Sequence, residues 1–161
     1  MRSKLLIPGL AVAALGIAAC GSSSSSSPRS GSSPGGKTTK VVAVPSRTYS
    51  VKMTGKVETP PGAPKGSGAA VVALHGKADK VCWRFSHLTG FTAPTLAHIH
   101  LGPAGKAGAI VVPLSSAAKF KSKGCVPASP TLITAIEKDP HGYYVNVHNK
   151  HYPGGAVRAQ L

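Results

Sequence analysis

The 161-residue chain carries 19 Lys and Arg against 4 Asp and Glu, a formal net charge of +15, with 42% hydrophobic but only 5% aromatic residues. Four carboxylates argue against paired-acid hydrolysis, and rings this few and scattered argue against a stacking platform for nucleic acid. The length suits one ordinary domain preceded by a segment of different character.

That segment reads as an export signal. Arg2 and Lys4 form a positive start, residues 5–18 an apolar stretch, and Ile17-Ala18-Ala19-Cys20 a run of small residues before a cysteine. The pattern is that of a bacterial lipoprotein signal peptide over residues 1–19, with Ile17 where Leu is usual. Cleavage would leave Cys20 as the lipidated N-terminus. Pro8 and Gly9 interrupt a run too short for a spanning helix of about 20 residues. Residues 20–46 then form a tether. Up to about Lys40 it is almost entirely Ser, Gly, Pro and Thr, a composition that buries no core and reaches about 25 Å as a flexible coil. These features predict a lipid-anchored protein on the extracytoplasmic face of a bacterial cell membrane.

Residues 47–161 form the predicted folded domain. Alternating or short apolar runs recur at 49–57, 68–75, 80–86, 96–101, 110–114, 143–148 and 156–161, with Gly and Pro clusters between most of them. Seven strands at this rhythm predict an all-β antiparallel sandwich or barrel. One short crossover helix interrupts them: Ser129 can cap, Pro130 suits the first turn, and Leu132, Ile133 and Ile136 make an apolar stripe ending at Lys138-Asp139-Pro140. Val81, Trp83 and Phe85 alternate with polar neighbours, which places Trp83 in the core. With Cys20 lipidated, Cys82 and Cys125 are left in a disulfide-permissive compartment. A bridge would close a loop of about 43 residues, worth roughly 3–4 kcal/mol. Buried thiols and soft copper ligands are the other readings of this pair.

His98 and His100 share one face of a strand, roughly 6–7 Å apart at Cα. That spacing suits joint ligation of one metal ion, copper or zinc, with His148 on a neighbouring strand as the third ligand. The competing reading has the three imidazoles hydrogen-bonded within the protein without metal. His75, His87 and His141 fall at strand ends or turns; His151 could approach the same site from its loop but reads as part of an exposed connection; Arg158 could face an anionic ligand near the histidines, and reads most simply as solvated.

Gly55-Lys56-Val57-Glu58-Thr59-Pro60-Pro61, His98-Ile99-His100-Leu101-Gly102, residues 110–114, Tyr144-Val145-Asn146-Val147-His148 and the terminal Pro153-Gly154-Gly155-Ala156-Val157-Arg158-Ala159-Gln160-Leu161 occur in an order that resembles the chordin-type (CHRD) domain. The resemblance covers about residues 49–161, with Asn149, Ala156 and Ala159 departing from the usual pattern. It implies an immunoglobulin-like β-sandwich distantly similar to the copper/zinc superoxide dismutases, in which His98, His100 and His148 correspond to copper ligands. No carboxylate stands in a histidine-rich segment like the zinc loop of those enzymes. At most a mononuclear site is therefore expected, and dismutase-type redox chemistry is a remote alternative.

The principal expectation is a non-enzymatic binding module at the cell envelope; a copper- or zinc-binding lipoprotein is the alternative. No H-E-x-x-H motif is present. Loss of Arg2 and Lys4 with the signal leaves about +13. Anionic lipids or cell-wall polymers, rather than nucleic acid, are the expected partners, and Lys119, Lys121 and Lys123 are a candidate patch. The sequence identifies no protein partner.

Overall fold

The computed structural model describes residues 46–116 and 118–161. The predicted signal peptide, Cys20 and nearly all of the predicted tether lie outside them. Eight strands form one antiparallel sheet: β1 (Arg47–Thr54), β2 (Ser67–His75), β3 (Lys80–Thr89), β4 (Pro94–Leu101), β5 (Ala109–Ser115), β6 (Lys123–Pro127), β7 (Tyr143–Asn149) and β8 (Val157–Gln160). Their order is β5-β4-β7-β8-β1-β2-β3-β6. The sheet curls into a nearly closed barrel; its end strands approach each other, and the Lys121 amide donates to Ser115 Oγ at 2.9 Å across the gap.

Period-two alternation explains the interior. Val72 and Leu74, Val81, Trp83 and Phe85, Ala97 and Ile99, Val145 and Val147, and Val157 and Ala159 all join a single core. Trp83 is buried there as predicted, its Nε1–H donating to the Lys121 carbonyl at 3.2 Å. The crossover helix α1 (Pro130–Lys138) follows β6 and buries Ile133 and Ile136 against the core. Ser129 caps it by accepting from the Leu132 amide at 3.2 Å, with Pro130 in the first turn.

Sequence reasoning found seven strands and missed β6. Lys123–Pro127 has no apolar alternation beyond Val126, and it is a strand because β3 pairs with it, Cys82 opposite Cys125 and Trp83 opposite Gly124. A Cβ at Gly124 would sit 2.7 Å from the Trp83 ring, so only glycine lets the strand close over the indole. Cys82 and Cys125 form a disulfide. The first predicted strand also ends early: Gly55–Val57 is a 3₁₀ turn, which starts a segment leading to β2.

Candidate histidine centre beneath three loops

The strand β7 is buried along its whole length, on both faces. Tyr143, Val145 and Val147 point into the core, so Tyr144, Asn146 and His148 project from the outer face of the barrel. Register then aligns a polar row beside them. His98 on β4 lies opposite Asn146, which on its other side faces Arg158 of β8; His100 lies opposite Tyr144, which in turn faces Gln160. An outer sheet face would ordinarily meet solvent. Here His98, His100 and His148 are only 6–7% exposed, while Asn146 and Arg158 are essentially inaccessible.

The cover comes from segments 55–66, 102–108 and 150–156. The second is held from below: Arg158 donates to the carbonyls of Lys106 and Pro103, both at 2.8 Å, and Gln160 donates to the carbonyl of Gly102 at 2.8 Å. The Gly108 amide donates to the Tyr144 hydroxyl at 3.2 Å, and His100 Nδ1 donates to the Gly108 carbonyl at 2.9 Å. A Cβ on Gly108 would lie 1.7 Å from the Leu101 carbonyl oxygen, so this return of the loop requires glycine. In the third segment, His148 Nδ1 donates to the Pro153 carbonyl at 2.9 Å. Gly155, at φ +140°, leaves room for the Glu58 carboxylate from the first segment, which a Cβ there would strike.

The structure brings His98, His100 and His148 together. One ring nitrogen of each lies within 4.8 Å of those of the other two. Because their Nδ1–H groups are committed to backbone carbonyls, His100 and His148 present Nε2 lone pairs to one another's neighbourhood; His98 Nδ1 lies 3.0 Å from His148 Nε2. A backbone acceptor on the far nitrogen is the arrangement that orients histidine ligands in metal sites. All three are held neutral. Burial, then the neighbouring His148 and His100, depress the His98 pKa to about 4. Burial likewise lowers His100 and His148. His100 and His148 thus turn Nε2 lone pairs inward, and His98, which donates from Nδ1 to His148 Nε2, can offer a third by carrying its proton on Nε2 instead; three such neutral imidazoles are a donor set that copper and zinc accept.

Sequence reasoning missed three members of this centre. Arg158, expected to be solvated, is instead 1% exposed, with its Cζ 3.4 Å above the Tyr144 ring, which stacks on His100 at 4.6 Å. The loop carbonyls it satisfies explain its burial. Glu58, one of four carboxylates, lies beside the histidine cluster although the sequence places none there. It is 5% exposed and near Asn146 and Arg158; burial raises its pKa to about 7, against the lowering pull of Arg158. Asn146 carried the one legible signal, a polar residue on the same strand face as His148 within an apolar run. Of the remaining histidines, His87, His141 and His151 are exposed as expected, whereas His75 is buried at the end of β2.

A nearly closed antiparallel barrel whose chemistry-bearing side chains lie under surface loops belongs to the class of β-barrel binding modules. The family is specific: the CHRD domain model matches residues 49–161, and the chain belongs to the CHRD domain family. Among curated proteins and among solved structures, none matches the chain.

Proposed function

We propose that this CHRD domain is a mononuclear copper- or zinc-binding module, tethered through a lipid on Cys20 to the extracytoplasmic face of the bacterial membrane. The observation that carries the metal reading is the pair of carbonyl bonds that fixes His100 and His148 with Nε2 lone pairs inward, within reach of His98 Nδ1. Supporting it, burial disfavours protons as the cluster's charge, which leaves the lone pairs to a cation. The anchor rests on the lipobox-like Ile17-Ala18-Ala19-Cys20 and the polar tether after it. Titration of the purified chain, made without a histidine tag, with Cu(I), Cu(II) and Zn(II) is expected to give one equivalent bound. That equivalent should be absent in a folded His98→Ala/His100→Ala variant. Retention in the variant, or no uptake by the parent, overturns the reading.

A second reading concerns the surface beside the centre. A groove of about 480 Å³ runs between Thr54–Thr59 and Ala104–Gly105, with Lys52 and Lys56 in its lining and Arg158 at its floor. Together with the chain's basic excess, this supports adhesion to anionic lipid or cell-wall polymer. Binding to anionic vesicles or cell-wall fragments should fall steeply between about 50 and 200 mM salt and be independent of metal. Binding that does not respond to salt rejects it.

A further inference from the structure

Asn146 is fully buried, and the polarity of its amide is unusual. Its Oδ1 lies 2.9 Å from His148 Nε2 and 3.1 Å from His100 Nε2. Both nitrogens carry lone pairs, since the opposite ring nitrogens donate to Pro153 and Gly108. Three acceptors thus face one another at hydrogen-bonding distance with no proton to share between Oδ1 and either ring. The other end of the amide is equally telling. Nδ2, buried, has no hydrogen-bond partner, and neither has Oε1 of the adjacent Glu58. Buried acceptors left opposed and a buried donor left idle are destabilising in an isolated protein. Turning the amide by half a rotation would relieve the histidines, because the two N–H groups could then serve both Nε2 atoms. It would also take the amide's NH₂ end away from the unpartnered Glu58 Oε1.

We propose that Asn146 Oδ1 is the fourth donor of the metal centre, and that Glu58 is the positioning residue that draws the amide's NH₂ end toward itself and keeps the oxygen turned inward. The inference deepens the metal-binding reading and rests on it. A cation among the four groups converts each opposed lone pair from a cost into a bond. The spacing agrees with this. Ligand atoms of a tetrahedral site with bonds of about 2.05 Å stand about 3.3 Å apart. Three of the six donor pairs, His98 Nδ1 to His148 Nε2 and Oδ1 to both Nε2 atoms, span 2.9–3.1 Å, and the three histidine nitrogens stand within 4.8 Å of one another, so a cation would draw the wider pairs inward.

The test uses the untagged full chain at pH 8 and Co(II) as a spectroscopic probe, with Zn(II) competition for affinity. Near-UV circular dichroism checks that each variant is folded. The parent should bind one Co(II) with the visible bands of a four-coordinate three-nitrogen, one-oxygen site, and His100→Ala should lose it. Asn146→Ala should retain the stoichiometry, bind about 10–100-fold more weakly and shift its bands. Glu58→Gln should weaken binding about tenfold with a band shift in the same direction, a response that a purely structural role would not give. If Asn146→Ala fails to fold, Asn146→Asp replaces it: bands near the parent's support an oxygen donor, and bands of a three-nitrogen site overturn it. Unchanged affinity and bands in Asn146→Ala, with His100→Ala still abolishing uptake, overturn the fourth donor while the histidine site stands. Absence of Co(II) and Zn(II) binding in the parent overturns both.

Discussion

The two halves of the sheet solve burial in opposite ways. β1, β2, β3 and β6 pair in long registers, turn apolar residues inward, leave much of the other face exposed, and carry the disulfide at the sheet's end. β7, β8 and the Ala97–His100 stretch of β4 bury both faces; the inner is as apolar as the rest of the barrel, while the outer collects three histidines, an asparagine, an arginine and a tyrosine under loops. A face that only needed to be soluble would be left to water. Covering polar groups demands partners for each of them, and the bonds from Arg158, Gln160 and His100 to the 102–108 loop supply most. The difference teaches that apolar burial holds the inner face throughout, whereas the outer face of the second half is held by hydrogen bonds to its covering loops, which is where the proposed metal site lies.

The largest test of this division is to open the disulfide. Cys82→Ser/Cys125→Ser should lower unfolding free energy by about 3–4 kcal/mol, from loop closure alone, and leave metal stoichiometry intact, because the bridge joins β3 to β6 at the end of the sheet. Urea midpoints and Zn(II) titration of the same preparation check both halves of the statement. Ile99→Ala comes next. Ile99 is fully buried on the inner face, between the two histidines that face outward, and its truncation should cost about 3 kcal/mol through lost contacts and a cavity. Below its new midpoint the variant should still take up one metal ion. Loss of uptake in either variant would mean that the two faces are not separable.

A smaller effect is expected from the cover. Arg158→Met keeps length and bulk over Tyr144 but removes the donors to Lys106 and Pro103 and the positive charge beside Glu58. It should cost about 2 kcal/mol and speed hydrogen exchange at the Gly108 amide, whose loop loses its anchors. Unchanged exchange there would show that the remaining bonds from His100, Tyr144 and Gln160 suffice.

Much of this architecture is legible in the sequence for a simple reason: a strand with one face in the core must alternate. Val81, Trp83 and Phe85 do so, and the capped Ser129-Pro130 helix carries its own punctuation. The His98/His100 pair is legible for the same reason, since spacing by two fixes a common face. β6 is not, because Gly124 and Cys125 are there to fit Trp83 and Cys82, and a fit between strands leaves no periodic mark. Glu58 and Arg158 lie 100 residues apart and come together only through barrel closure and a glycine at position 155. Nothing local distinguishes either from a surface charge.

The pH dependence of stability sharpens the comparison at its smallest scale, because the outer face contains groups that pull in opposite directions. The ordinary pKa of histidine is 6.5, and His98 in the fold is lowered to about 4. As pH falls from 6.5 toward 4 the unfolded chain gains a proton that the folded chain refuses, so stability declines through that window; His100 and His148, also lowered, add to the decline. Glu58 behaves inversely. Its pKa is raised from 4.5 to about 7, so the folded chain holds a proton that the unfolded one has released, and its contribution declines as pH rises from 4.5 to 7. Three histidines outweigh one carboxylate, and the metal-free chain should therefore gain stability from pH 4.5 to 6.5 with a slope blunted by Glu58. Glu58→Gln removes the opposing contribution and should steepen that slope, which urea midpoints at half-unit pH intervals would register. Midpoints that fall across this window in the parent would mean that the cluster carries protons in the folded state, and the neutral, inward-facing lone pairs on which the metal site depends would have to be abandoned.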